Sequence, residues 1–479
     1  MNISIVRYYI GWIVFGEGVL LLIPMAVSLG YHEAAATALG LSALVCLVLG
    51  GVTVLFRPSG RTLRQREGMV ITALGWIAIS ILGSLPFLFS GEIASPVDAL
   101  FETVSGFTTT GASILEDVES MSHGLLFWRS FTHWVGGMGV LVFLLTILPR
   151  PSGSLVNLMK AESPGPQVEK LVPKVQSTAK ILYGIYIGLT ALEIVLLLAG
   201  GMPAFDAVTL SFGTAGTGGF GIKGDSIASY APYLQNVITV FMILFGINFN
   251  FYFFLLLGKW KRSLQMEEVH WYFAIIGIAA VIILIDTRSF FGSFGEAVRH
   301  VFFQIGSVIT TTGYATTDFN LWPQLSKMVM VMLMFIGACA GSTGGGFKVS
   351  RVILLHKYYK KERRRMLHPT SVGTVCVDGK AIPHEIVHTT CVFLAAYVLL
   401  FFTSLLLVSF DENDFTTNFT AVLATLNNIG PGLAGVGPTR NFAGFSWPIK
   451  LVLIFDMLAG RLELFPMLVL FNRETWRRF

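Results

Sequence analysis

The sequence predicts an all-α integral membrane protein, and three observations carry that expectation. Of 479 residues, 54% are hydrophobic and only 13% charged, about half the charged share of an ordinary soluble chain. Mean hydropathy is +0.70. The apolar residues fall in ten blocks, at roughly 8–30, 36–56, 69–90, 124–149, 179–201, 232–258, 271–290, 324–356, 386–410 and 447–471. Each is near the ~20 residues that cross a bilayer as a helix.

The net charge is +5, but its placement says more than its size. Cations gather at the ends of apolar blocks and form no single basic face, which argues against a nucleic-acid partner. Cys46, Cys339, Cys376 and Cys391 have neither zinc-site spacing nor the density of a disulfide framework. No small-residue cleavage site follows the first block, so it reads as a retained span and not a signal peptide.

Orientation follows from the basic clusters. Arg57, Arg61, Arg64 and Arg66 follow block two; Lys259, Lys261 and Arg262 follow block six. Lys357, Lys360, Lys361, Arg363, Arg364 and Arg365 follow block eight, and Arg473, Arg477 and Arg478 follow block ten. If every block crosses once, all four clusters lie on one side, which the positive-inside rule makes the cytoplasm. Acidic loops, Glu116, Asp117 and Glu119, then Asp411, Glu412 and Asp414, fall on the other side. Both termini are then cytoplasmic, in a bacterial inner (plasma) membrane.

Four segments align without gaps: Asp98–Gly111 (DALFETVSGFTTTG), Asp206–Gly219 (DAVTLSFGTAGTGG), His300–Gly313 (HVFFQIGSVITTTG) and Thr417–Gly430 (TNFTAVLATLNNIG). Each is half-apolar, ends in small or hydroxyl residues before a glycine, and sits between two full blocks. Each is too short to be a further span, which fits a re-entrant loop. The predicted unit is span, half-helix, glycine-ended loop, span, repeated over 67–160, 161–262, 263–365 and 366–479. Two extra spans occupy 1–66. One such segment would be an ordinary tight turn or close-packing site, but four in register point to a shared purpose.

Non-helical backbone at membrane depth survives only where protein buries it or water reaches it. Four such loops around an axis would line a polar path. A half-helix entering from outside aims its partly negative C-terminus at the membrane centre, which favours a cation. Glycine permits φ > 0 and lets carbonyls turn to the axis, where rings of oxygens can replace the hydration shell of potassium. The candidate filter residues are Thr109, Thr110, Gly111, Thr217, Gly218, Gly219, Thr311, Thr312, Gly313, Asn428, Ile429 and Gly430. These stretches hold no basic residue, which disfavours an anion path.

SGFTTTGAS (105–113), GTAGTGGFG (213–221), TTTGYATTDF (310–319), NNIGPGL (427–433), GACAGSTGGGFK (337–348) and AGRLELFP (459–466) together resemble the membrane subunit of the Trk/Ktr/HKT superfamily of potassium transporters. The likeness covers nearly the whole chain and is closest to the Trk branch, which carries two extra N-terminal spans. It implies one filter glycine per unit, here Gly111, Gly219, Gly313 and Gly430, with K⁺ as the transported ion and no bound cofactor. Related plant sodium-type members have serine at the first position, so Gly111 implies potassium. The pattern is less regular than a TVGYG filter, from which weaker potassium/sodium discrimination is expected. The resemblance also implies a homodimer and a cytoplasmic regulatory subunit that binds NAD(H) or ATP. Coupling to H⁺ or Na⁺ is left open, as is a sodium or ammonium carrier on the same scaffold.

Block eight is interrupted by five glycines in the ten residues 337–346, each costing a helix about 1 kcal/mol against alanine. The candidate gate is this loop beneath the filter: Gly337, Gly341, Ser342, Thr343, Gly344, Gly345 and Gly346, with Lys348 facing an inner cavity. Arg461, about ten residues inside block ten, would lie ~15 Å deep in a straight helix. An ionisable residue at that depth is a functional candidate, here a cationic barrier facing the ion path. Asp456 is a candidate partner, and Glu463 would point to the opposite side of the helix.

His384-Glu385-Ile-Val-His388 matches H-E-x-x-H, the pattern of a zinc metalloprotease. It sits at the cytoplasmic start of block nine, where polar residues are expected, with no third ligand evident on a nearby span. The chain is therefore read as a transporter and not an enzyme. Gly216–Gly221 fits G-x-G-x-x-G but opens no βαβ unit. His123 and His133 read as polar decoration at a helix edge. The run 357–365 reads as a contact for anionic lipid or a cytoplasmic partner.

Overall fold

The structure is a computed structural model that describes residues 1–56, 58, 64–139, 175–371 and 373–477. The second half of block four, the boundary between the first two predicted units, and Arg57, Arg61 and Arg478 lie outside the described residues.

The chain is mostly helical. Among the described residues, six helices are long and apolar enough to cross a membrane: Ile3–Gly30, Ala35–Leu55, Gln65–Ser90, Lys180–Ala199, Glu267–Asp286 and His384–Asp411. The first combines α1 (Ile3–Leu20) with α2 (Leu22–Gly30), and α3 (Ala35–Leu55) packs along α1. Glycine lets these backbones touch: a Cβ on Gly50 would meet the Phe15 amide at 2.5 Å and the Gly11 carbonyl at 2.8 Å. Lipid tails are as apolar as leucine, so such close van der Waals fit replaces the hydrophobic effect. α1 also rests on α4 (Gln65–Gly83), which α5 (Leu85–Ser90) extends.

Four half-helices follow the expected segments: α6 (Pro96–Phe107), α9 (Ala204–Gly216), α14 (Phe294–Ile309) and α18 (Phe415–Leu426). Side-chain caps start three of them, from Ser95, Ser293 and Asp414. Each half-helix packs against the helix that closes the preceding unit: α9 on α7 (His123–Gly137), α14 on α10 (Pro232–Phe245), α18 on α15 (Gln324–Ile336) and α6 on α19 (Trp447–Arg461). The last pairing joins the end of the chain to its first half-helix, so the packing is a closed cycle. α8 (Val175–Ala199), α13 (Glu267–Asp286) and α17 (His384–Val408) open the later units.

Among the described residues, three expected spans are not continuous. Block eight breaks between α15 and α16 (Val349–Leu367), as its glycines predict. Block six, expected to run straight, bends by 90° between α10 and α11 (Phe249–Leu256). Asn248 caps the second arm by accepting from the Asn250 amide at 3.0 Å. The bend also receives the broken-helix loop: Cys339 N–H donates to Gly246 O at 3.1 Å and Phe249 N–H to Gly341 O at 3.0 Å. Block ten stops at Arg461 and resumes as α20 (Phe465–Leu470). Glu463 and Leu464 between them are left-handed, at φ 55° and 65°, and Pro466 has no N–H with which to continue α19.

A short hairpin pairs Cys376 with Ala381 and Val377 with Lys380. Its turn is Asp378-Gly379, both at positive φ, the two-residue connection that matches strand twist.

Candidate functional site

The four half-helices end in the same way. The amides of Thr110, Gly218, Thr312 and Ile429 donate to the carbonyls five residues back, on Ser105, Gly213, Ser307 and Ala424, at 2.9, 2.9, 2.8 and 2.8 Å. The residue before each donor, Thr109, Thr217, Thr311 and Asn428, is left-handed at φ 56°, 55°, 60° and 55°. This is the Schellman end of a helix, which ordinarily places glycine at the left-handed position. Three of the four here are threonine, for which that backbone is an outlier costing of order 1–3 kcal/mol. Strain repeated in register marks the segments as a set.

The terminal glycines take φ 80°, 75°, 86° and 94° at Gly111, Gly219, Gly313 and Gly430. Each abuts a carbonyl of the next loop. A Cβ on Gly111 would overlap Gly218 O, one on Gly219 would overlap Thr312 O, one on Gly313 Ile429 O, and one on Gly430 Thr110 O. The contacts run once around and close. All four glycines also line one cavity of about 140 Å³, bordered by Glu116, Lys223 and Arg440.

Thr110, Gly218, Thr312 and Ile429 are buried, yet among the described residues nothing in the protein donates a hydrogen bond to their carbonyls. More than nine in ten buried backbone carbonyls are paired. Four unpaired ones in a ring form a set of oxygen dipoles able to accept a cation.

Side chains in and around the loops hold the ring. Arg129 is buried against Glu102, donates to Gly221 O at 2.8 Å and Ser113 Oγ at 3.2 Å, and stacks over Phe220. Glu102 also accepts from Ser113 Oγ and the Ile114 amide, both at 3.0 Å. His133, expected to be decoration, is instead fully buried and ties two loops together. Its Nδ1 lies 2.8 Å from Gly106 O, and its Nε2 accepts from the Phe220 amide at 3.2 Å. Those two bonds fix the tautomer, with the proton on Nδ1. Asn428 Nδ2 reaches Thr110 Oγ1 at 3.0 Å, and Asn427 Nδ2 reaches the Tyr397 hydroxyl at 2.8 Å. Sequence reading missed Glu102, Arg129 and His133; a charged pair inside otherwise apolar segments was the available signal.

The interrupted stretch of block eight lies directly against this ring. The Gly345 amide donates to Thr311 Oγ1 at 2.6 Å. A Cβ on Gly344 would meet Thr310 O at 2.8 Å, and one on Gly345 would overlap Asn427 O. Lys348 does not face an inner cavity: it is buried, and its ammonium turns back to Gly344 O within the loop. Arg461 is the last residue of α19, so the depth expected for a straight helix does not apply. Its guanidinium donates to Thr109 Oγ1 at 3.2 Å, Thr343 O at 2.9 Å, Gly137 O at 2.8 Å and also Gly136 O. It thus touches the first loop and the interrupted stretch together. Asp456, the suggested partner, is engaged elsewhere, and Glu463, expected to point away from Arg461, has its own partner. Asp456 accepts from Ser404 Oγ at 2.6 Å, and Glu463, in the left-handed turn, pairs with Arg351.

His384, Glu385 and His388 are exposed at the start of α17. Among the described residues, no group of three or more His, Cys, Asp or Glu is placed to hold a metal ion.

Fold and site define a polytopic membrane protein organised around a ring of buried, unpaired carbonyls. Residues 38–477 match the family model of TrkH, described as a cation transport protein, and the chain belongs to that family of multi-pass membrane transporters. It is 36% identical over the full length of both chains to the Trk system potassium uptake protein TrkH of Salmonella typhimurium, and equally to that of Escherichia coli K12. It is 31% identical to the Escherichia coli K12 Trk system potassium uptake protein TrkG, over 99% of each chain. It is similar in structure to the potassium transporter TrkH of Vibrio parahaemolyticus, with a TM-score of 0.90 at 32% identity and full coverage of both chains.

Proposed function

We propose that this chain takes up potassium across the bacterial inner membrane through the ring formed by Gly111, Gly219, Gly313 and Gly430. The observation that carries this reading is the closed set of four buried carbonyls to which no described residue donates. Partly negative helix C-termini aimed at the same place add to it, and replacing a hydration shell with such oxygens lets a bare cation pass. The potassium uptake named for the relatives supplies the identity of the ion. The side chains one residue before these carbonyls, on Thr109, Thr217, Thr311 and Asn428, supply further oxygens.

In this reading the chain crosses ten times with both termini in the cytoplasm. Units 67–160, 161–262, 263–365 and 366–479 surround one pore, and residues 1–66 pack outside. The loop from Gly337 to Gly346, with Lys348, is the gate, and Arg461 is a cationic barrier that also holds it. The active assembly is a homodimer with a nucleotide-binding regulatory subunit on the cytoplasmic face.

The test is potassium or rubidium uptake in cells stripped of their other potassium uptake systems. The wild-type chain restores growth at low potassium and takes up rubidium, whereas Gly313→Ser loses either flux or potassium preference. Failure of the wild type to carry either ion, with sodium or ammonium carried instead, would reject potassium as the cargo.

A further inference from the structure

The loop of residues 337–346 is gripped from its far side by one carboxylate that the transport reading does not use. Glu268 is the second residue of α13 and is 8% exposed. Its Oε1 accepts from the Ala340 amide, inside the loop, at 2.6 Å. The same oxygen accepts from the Ser350 amide, in the first turn of α16, at 3.1 Å. Its Oε2 accepts from Asn248 Nδ2, at the bend between α10 and α11, at 3.2 Å. One side chain thus fastens both ends of the interruption and the bend that receives it.

The physical case has three parts. Bonds to an ionised acceptor are roughly twice as strong as neutral ones. Ser350 lies in the first turn of a helix, where unpaired amides and the helix dipole favour a negative charge. Lastly, the glycine-rich loop has little structure of its own, so a few fixed hydrogen-bond partners decide where it sits.

Glu268 also lines a cavity of about 760 Å³, together with Ala340 and Ser350. The same cavity borders Lys259, Lys261 and Arg262, the cluster that the charge pattern places in the cytoplasm. A carboxylate left unpaired in lipid would be prohibitively costly. Beside a cavity of this size it can be hydrated when the loop leaves, so the contact can open as well as close.

We propose that Glu268 is a positioning residue that latches the gating loop shut from the cytoplasmic cavity. This inference rests on the reading of residues 337–346 as the gate.

Cys339 provides a readout independent of transport. It lies in the loop next to Ala340 and is fully buried. The experiment uses the full-length chain with Cys46→Ala, Cys376→Ser and Cys391→Ala, in inside-out vesicles. A membrane-impermeant cationic methanethiosulfonate is applied from the cytoplasmic side, labelling of Cys339 is followed by intact mass, and rubidium flux is recorded alongside. E268Q keeps the shape but replaces one acceptor oxygen with a donor facing other donors. We expect it to speed Cys339 labelling at least tenfold and to raise rubidium flux severalfold, with the rubidium-to-sodium ratio unchanged because the ring is not touched. N248A, which removes the donor orienting Oε2, should give a smaller acceleration and provides a second variant should E268Q fold poorly.

An ordinary structural role would lower the yield of folded protein but leave labelling and flux per folded molecule as in the wild type. Unchanged labelling in folded E268Q and N248A overturns the latch, whatever the flux does. Faster labelling with unchanged flux keeps the latch and overturns the gating reading on which it rests.

Discussion

Removing the guanidinium of Arg461 is the perturbation whose size can be worked most directly from the geometry. The group sits 3.2 Å from Thr109 Oγ1, one residue from the carbonyl of Thr110 in the ring. A cation held by that carbonyl is then roughly 7 Å from the positive charge, and at an effective dielectric near 20 the repulsion is about 2 kcal/mol. That is a factor of roughly 30 in occupancy or passage. Arg461→Ala also deletes the donor to Thr343 O, which loosens the loop, so both effects raise cation flux. Arg461→Lys keeps the charge but not the planar fork, and is expected to fall much closer to the wild type. The assay is radioactive rubidium uptake into proteoliposomes at matched protein content. Flux of folded Arg461→Ala within twofold of the wild type would refute the barrier. Equal gains in the Ala and Lys variants would assign the effect to the lost hydrogen bonds alone.

Three further outcomes are expected. Serine at Gly219 or Gly313 must push a backbone oxygen aside and hold a left-handed backbone costing about 1 kcal/mol or more, so rubidium-over-sodium preference should fall on the order of tenfold in competition uptake. Gly430→Ser should be milder, because its nearest oxygen, Thr110 O, is at 2.7 Å and the other three are nearer. His133→Ala leaves Gly106 O and the Phe220 amide without their shared partner, a loss of about 1–3 kcal/mol, read as a lower midpoint in thermal unfolding in detergent together with reduced rubidium flux. In the connection between α2 and α3, burial works to raise the Glu33 carboxyl, but bonds from the Gly124 and His123 amides and the His123 ring outweigh it and hold it below the usual carboxylate range. Its contribution is therefore present above the ordinary carboxylate value and lost as pH falls through the lowered one. Glu33→Gln should lower the melting temperature at neutral pH, with the gap to wild type closing in acid.

Much of this architecture was legible because it is written locally. Long apolar blocks mark the helices, and TTTG, TGG and NIG mark the loop ends at the glycines that take positive φ. Five glycines in ten residues marked the break after Ile336. The bend at Gly246–Asn248 was marked only by Gly246, Asn248 and Asn250 in a mostly apolar run, and it depends on Cys339 and Phe249 finding partners across it. The end of α19 at Arg461 was signalled by Pro466, five residues on, but the run around it is hydrophobic enough to read as unbroken. Asp378-Gly379 between Cys376-Val377 and Lys380-Ala381 was a readable hairpin signal. Glu102 with Arg129, His133 with Gly106 and Phe220, and Glu268 with Ala340 and Ser350 join residues 27 to 87 positions apart. Pairings of that kind are decided by the packing of the bundle and leave no spacing to read.

The central claim is that the four unpaired carbonyls bind the transported ion on a common axis. Anomalous diffraction from crystals soaked in rubidium or thallium addresses it without any assumption about gating. A peak is expected on the ring axis, shared among the carbonyls of Thr110, Gly218, Thr312 and Ile429, that vanishes in Gly313→Ser. A well-ordered ring with no peak there, or with the ion held at a different place in the chain, would contradict it.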